Sequence, residues 1–371
     1  MFVKYYKISE EFQRVKKNYL KKINLIFNSG SFILGNSNKN FEKKISKLLK
    51  VNYVCGVGNG SDALEIGLIA IGIKKGDEVI TATNSWVSSL NSILNIGAKP
   101  ILVDVDNDFN IDSEQIKKAI TKKTKAIMPV HLNGLPANML EISKIAKKYK
   151  LKIIEDSAQA ILSKHHNNYA GTIGDVGCFS MHPTKNLGVA GDGGFITTKN
   201  KNIFKKIKLI SNHGMDKKGV SVMVGRNSRL DEIQAEFILH KINYLKKDTK
   251  RKRQIASKYT QALNKLVKTP YTKSNSKLLH TYHRYVIMLK NKNERDALKN
   301  YLIKNNIETK IHYPKPIHKY KCFAKYSLKK NLENSEEQAN KILSLPCNHF
   351  MTNDEVNFVI KKIKQFLLKK N

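Results

Sequence analysis

A chain of 371 residues that is 41% hydrophobic can bury a full core and exceeds the length over which one core keeps growing, so a large domain with a smaller one attached is expected. Its 67 basic against 30 acidic residues give a net charge of +37, which raises polyanion binding as a class of function. The lysines are spread along the chain among many asparagines, however, with no arginine-rich, aromatic-interleaved or zinc-finger pattern, and this argues against a nucleic-acid module.

The first elements carry no membrane signal. The amino terminus MFVKYYKISEEFQ has charges where a signal peptide needs an apolar stretch, and IGLIAIGI (66–73) falls far short of the roughly 20 residues that cross a bilayer. A soluble, cytoplasmic protein without membrane or nucleic-acid partners is expected. The cysteines, Cys55, Cys178, Cys322 and Cys347, show no zinc-ligand spacing and read as reduced core thiols; no metal is expected.

From residue 50 to 200, short β-rich runs alternate with helical ones, the pattern of a mostly parallel sheet covered on both faces. The strand candidates are NYVCGV (52–57), EVITAT (78–83), KPILVDV (99–105), KAIMPVH (125–131), LKIIED (151–156), GCFSM (177–181) and GGFITT (193–198). Helical spacing marks SDALEIGLIAI, WVSSLNSIL, SEQIKKAI and LEISKIAKKY between them. After about residue 228 a long amphipathic stretch predicts a helix or helix pair leaving the large domain. It includes the dense basic run KKDTKRKR (246–253), read as a solvated helix face. A smaller α+β unit follows, with TYHRYVIML (281–289) as a strand, a helix around Arg295 to Lys304, and a last helix opened by TNDE (352–355), whose spacing fits a capping box. The division is drawn as a large domain over 1–245 and a small C-terminal domain over 246–371.

The chemistry centres on FSMHPTKNLGVAGDGGF (179–195). A lysine that condenses with an aldehyde must first lose its proton, and Lys185 lies between a proline and a run of glycines just after a strand. Pyridoxal phosphate also needs an acid for its ring nitrogen, donors for its phosphate and a cover for its ring. Asp156 ends the strand IIED, 29 residues earlier, with Gln159 one turn on. GNGSDALEIG (58–67) is a Gly-rich turn into a helix whose free N–H groups and Ser61 hydroxyl suit a phosphate. Trp86, the single tryptophan, follows EVITAT, and Ser180 precedes Lys185 by five residues. Taken singly, Asp156 is as readily a helix cap, Trp86 a core residue, Gly58 and Gly60 a plain turn, Ser180 a strand end and Lys185 one more surface lysine. Their order, each at the exit of a successive strand, favours a cofactor site.

The motifs GSFILG, GNGSDAL, KKGDEVITAT, NIGAKPILVDVD, TKAIMPVHLNGLPANM, IIEDSAQA, FSMHPTKNLGVAGDGG, GRNSRLDEIQAE and IHYPKPIH, spread over nearly the whole chain, resemble the DegT-type sugar aminotransferases, which are fold type I and pyridoxal-phosphate-dependent. That resemblance implies an α/β fold with a mixed, mostly parallel seven-stranded sheet, helices on both faces and a smaller C-terminal α+β domain. It implies that Lys185 forms the Schiff base with pyridoxal 5′-phosphate, that Asp156 pairs with the pyridine nitrogen and that Gln159 lies near the ring hydroxyl. Gly60, Ser61, Asp62 and Ser180 would hold the phosphate and Trp86 would stack on the ring. Asn227 would reach the phosphate from the partner subunit of a homodimer, and Arg229, His312 and Tyr313 would approach the substrate. Arg229 could equally pair with Asp231, while His131 and His318 read as packing or loop residues.

Two positions depart from the family pattern: Ser61 stands where threonine is common, and Met181 with His182 replaces an aromatic pair. The implied reaction takes an amino group from an amino acid, by family habit glutamate, to a keto sugar on a nucleoside diphosphate. KNLGVAGDGG resembles the subgroup acting at C3, with a C4 enzyme, a dehydratase and a non-catalytic regulator as the alternatives; dehydratase relatives carry histidine where this chain has Lys185.

Overall fold

The computed structural model describes residues 1–270, 277–326 and 332–368. Seven strands, β1 Tyr53–Val57, β2 Glu78–Ala82, β3 Lys99–Val103, β4 Thr124–Met128, β5 Lys152–Asp156, β6 Val176–Ser180 and β7 Gly194–Thr198, form one sheet in the order β1-β7-β6-β5-β4-β2-β3. All seven coincide with the segments expected from sequence. Only β7 runs against the others, pairing antiparallel with β1 and β6. Successive residues of a strand face opposite sides of a sheet. Val79, Ala126 and Ile154 accordingly enter one apolar cluster, and Ile80, Ile127 and Ile153 another on the opposite face. Helices cover both sides, which is why these strands read as continuous apolar runs. The carboxyl ends of β1, β2, β5 and β6 share one edge, where sheets of this kind bind ligands.

Helix Asn36–Leu49 follows Gly35 and has no side-chain cap of its own. Its first-turn N–H groups on Ser37 and Asn38 instead donate to the Glu232 carboxylate at 2.8 and 2.9 Å, a residue nearly 200 positions later. A carboxylate there also meets the positive end of the helix dipole. Glu232→Ala leaves two buried donors unpaired and is expected to lower stability by about 1–3 kcal/mol, read as a lower urea midpoint with the slope unchanged.

The expected amphipathic stretch is a helix pair, Glu232–Lys241 and Leu245–Leu263. Leu245 packs into the cluster of the large unit, whereas Ile255, Ala256, Tyr259 and Leu263 belong to a second cluster with Leu298, Leu302, Val356 and Val359. A boundary near residue 245 is our reading of that change of partners. The second unit carries β8 Tyr285–Met288 and β9 Ile342–Leu345, paired antiparallel, with helices Lys292–Lys304 and Asn353–Leu368. The capping box at the last helix forms reciprocally: the Thr352 N–H donates to Glu355 at 2.8 Å and the Glu355 N–H to the Thr352 hydroxyl at 3.1 Å. Val3 joins the second cluster through backbone bonds to Asn306 and Glu308, so the first residues pack with the C-terminal unit. Of the cysteines, Cys55, Cys178 and Cys347 are buried thiols, but Cys322 is exposed, in an irregular turn after Ile317–Lys319 and not in a core strand or helix. Among the described residues no helix is long and apolar enough to cross a membrane.

Candidate active site

Asp156 closes β5 with its carboxylate buried. The Ser89 hydroxyl donates to one oxygen at 2.7 Å and the Ala158 N–H to the other at 3.2 Å. Its neighbour Glu155 faces the other side of the sheet and accepts the N–H groups of Gly171, Ile173 and Gly174 at 2.7–2.8 Å. His131 accepts the Ala137 N–H on Nδ1 at 3.0 Å, which leaves Nε2 as the donor to Glu155 at 2.9 Å. His131 is thus a structural residue, as is His318, held between Thr83 and Glu336.

At the exit of β1, helix Gly60–Ala70 begins against the end of β6. A Cβ on Gly60 would lie 2.6 Å from that of Ser180, so only glycine permits the approach. Asn59 caps the helix by accepting the Asp62 N–H at 2.8 Å. The N–H groups of Gly60 and Ser61 have no protein acceptor among the described residues and sit at the positive helix end. The Ser61 hydroxyl lies 3.0 Å from that of Ser88. These groups border a cavity of about 510 Å³ that also admits Trp86, Asp156, Gln159, Ser180, Lys185, Arg284, His312 and Tyr313.

Trp86 opens helix Val87–Asn95 and is 57% exposed, its ring 5.7 Å from that of Tyr313. It is a wall of the cavity and not a core residue. Gln159 accepts the Asn133 N–H at 2.9 Å, while its amide nitrogen points to the Tyr313 hydroxyl at 3.4 Å. His312 is pinned to the Ser344 hydroxyl at 3.0 Å; burial and then the Arg284 charge lower its pKa to about 2, so it is neutral.

Lys185 follows the loop that leaves β6. Burial is the largest cause lowering its pKa, to about 7; the Arg284 cation pushes the same way and Asp156 opposes. A lysine near this value is substantially a free amine at neutral pH, as carbonyl condensation requires. Capture of an added aldehyde at Lys185 should therefore rise with pH through about 7 and then level off, whereas an ordinary lysine continues rising toward about 10.4. Trapping by borohydride at a series of pH values, with peptide mapping, reads that profile.

Two residues expected in the site, Asp62 and Arg229, lie elsewhere, and Asn227 was expected to serve the partner subunit. Asp62 does not line the cavity: its N–H is taken by the cap and its carboxylate accepts the Ser228 hydroxyl at 2.6 Å and faces Arg226. Arg229 donates to Asn212 at 2.8 Å and makes no ion pair with Asp231. Asn227 is exposed, on a bridge to Asn212. Arg284 was missed. It belongs to a segment read as a strand, and the signal was present, because a charge within such an apolar run, once buried, has to answer to a partner. Behind Lys185, Lys252 donates to Asn186 at 2.8 Å across a small chamber of about 60 Å³. Glu11, Asp248 and His349 meet beside that chamber, but Arg14 already pairs with both carboxylates.

A desolvated lysine facing a strand-end carboxylate and a helix N-terminus, at the carboxyl edge of a mostly parallel sheet, defines a carbonyl–amine exchange site of the fold type I class. The chain belongs to the DegT/DnrJ/EryC1/StrS aminotransferase family, whose model matches residues 13–364. It is 39% identical over 355 residues to a dTDP-3-amino-3,6-dideoxy-alpha-D-galactopyranose transaminase of Aneurinibacillus thermoaerophilus, covering 95% of this chain and 96% of that one. A pleiotropic regulatory protein of Geobacillus stearothermophilus is 38% identical over 365 residues, 97% of each chain. Among solved structures, ntda from Bacillus subtilis with bound cofactor PMP superposes with a TM-score of 0.91 at 30% identity, covering 99% of this chain and 85% of that one.

Proposed function

We propose that this chain is a pyridoxal-phosphate-dependent transaminase that moves an amino group from glutamate to C3 of a keto hexose carried on a nucleoside diphosphate. The single observation that carries this reading is Lys185, depressed to about 7 in a cavity it shares with Asp156. The residues present fit the cofactor: Gly60 leaves a cradle that any Cβ would fill, and its N–H and that of Ser61 have no protein acceptor among the described residues. Gly60, Ser61 and Ser180 would hold the phosphate, Trp86 would stack on the ring and Asp156 would keep the pyridine nitrogen protonated. Bound there, the cofactor supplies the electron sink that makes the substrate Cα–H acidic.

The chain's own groups do the rest. Lys185 Nζ would hold the cofactor, and as a free amine it would take up and return the proton of the substrate Cα. Asp156 is held in place by Ser89 and Ala158, so its charge would stay fixed where the ring nitrogen binds. Neutral His312 and the Tyr313 hydroxyl stand at the mouth as hydrogen-bonding groups for sugar hydroxyls. The second half runs in reverse on the keto sugar.

A homodimer completes the site in this reading, with Asn227 and Arg229 serving the partner's cavity. Support comes from their position outside their own cavity, and from exposed apolar side chains flanking them: Phe32, Ile33 and Leu34 on one side, Val220, Val222 and Val224 on the other. The test is direct. With bound cofactor, glutamate should bleach the visible absorbance, and a dTDP- or UDP-linked 3-keto hexose should restore it with nitrogen appearing in the sugar. Loss of a sugar hydroxyl without nitrogen gain, or no bleaching at all, would refute the proposal.

A further inference from the structure

Arg284 is 7% exposed and borders the same cavity as Lys185. Its guanidinium has neutral partners only: Nη1 donates to the Tyr313 hydroxyl at 3.1 Å and to the Gln159 amide oxygen at 3.4 Å, and it lies 5.1 Å from the Tyr313 ring centroid. Nε is buried without an acceptor. No carboxylate pairs with it among the described residues, whereas the other deeply buried arginine, Arg295, has Asp296. A buried guanidinium with an idle donor is costly unless an anion answers it, and its planar fork is suited to a carboxylate.

We infer that Arg284 binds the α-carboxylate of the amino donor. This rests on the transaminase reading above. In an amino acid the carboxylate is two bonds from the reacting nitrogen, and that nitrogen must come to where Lys185 attaches the cofactor. The carboxylate therefore lands on the wall next to Lys185, and Arg284 is the arginine in that wall. Arg229, the arginine of the sequence motif, is turned to Asn212 on the outside of the cavity.

The assignment gives the same cation two duties in sequence. Before the cofactor attaches, its charge is the largest charge effect lowering Lys185, which keeps that amine free to condense. Once a carboxylate neutralises Arg284, this influence fades and Lys185 becomes a stronger base at the stage when it must remove a proton.

The test compares wild type, Arg284→Gln and Arg284→Lys. Loaded protein is titrated with glutamate by loss of visible absorbance, and the aminated form is titrated with a nucleotide-linked keto sugar whose hexose carries no carboxylate. Glutarate, an unreactive dicarboxylate, is titrated against the fluorescence of Trp86, the single tryptophan and a wall of the cavity. In Arg284→Gln the apparent Kd for glutamate and for glutarate should rise about 10- to 100-fold, and in Arg284→Lys by less. The apparent Kd for the keto sugar should change by less than about threefold, since no carboxylate of that substrate is left unpaired. Removing an unpaired buried charge should leave the thermal midpoint equal or higher.

Unchanged glutamate and glutarate binding would overturn the assignment. So would an equal loss in both halves with a lower midpoint, which marks a structural residue, or a loss confined to the sugar half, which places Arg284 on the sugar. If the protein took up no cofactor, the transaminase reading would fall, while the glutarate titration would still read Arg284.

Discussion

Lys185→Ala should lower turnover by at least about a thousandfold, because in the proposed function one side chain both attaches the cofactor and carries the substrate proton. Reduction of the loaded wild type with borohydride should add the cofactor mass to the peptide holding Lys185, and the variant should gain none. The fold should be untouched, as Lys185 is half-buried and its side chain packs in no apolar cluster. Mixing supplies a second reading of the same variant. If Asn227 serves the partner's site, inactive Lys185→Ala and weakened Asn227→Ala chains, unfolded and refolded together, should recover about a quarter of wild-type activity, since half the dimers are mixed and each holds one intact site. Activity no higher than that of the separate variants would mean that each site is built from one chain.

Asp156→Asn is the second large effect. The amide fits the same space and still accepts the Ala158 N–H, so the cofactor should bind. What disappears is the charge that holds the ring nitrogen protonated, and turnover should fall about a hundred- to a thousandfold with little change in Kd for the cofactor. The adjacent residue is the control. Glu155→Gln removes a carboxylate that ties three backbone N–H groups and His131 on the far side of the sheet. It should lower stability by about 1–3 kcal/mol and leave the turnover of the folded fraction nearly unchanged. If the two variants behaved alike, the alternation of faces along β5 would not be what separates structure from chemistry here.

Much of this protein is legible along its chain. All seven sheet strands stand where apolar runs between turn residues place them, since a strand covered on both faces must be apolar at nearly every position. The Gly-rich turn, Asp156 and Lys185 were also readable, because each sits within a few residues of a strand end and the fold type puts strand ends together. The capping box at Thr352 and Glu355 is local by nature.

Side-chain direction and long-range partners were decided only by tertiary packing. Asp62 stands in the phosphate motif, yet its carboxylate turns to Ser228 and Arg226, more than 160 positions away. The cap of helix Asn36–Leu49 comes from Glu232, which no spacing within the helix could indicate. Arg284 and Tyr313 line the Lys185 cavity from far along the chain, and burial with the Arg284 charge depresses the pKa of that lysine. Backbone patterns record interactions over a few residues, and so the sequence by itself settled the sheet and its ligand edge. Burial and charge at a site sum over groups that are far apart in the chain and meet only in the folded protein, so the free amine at Lys185 and the unanswered cation at Arg284 belong to the tertiary structure.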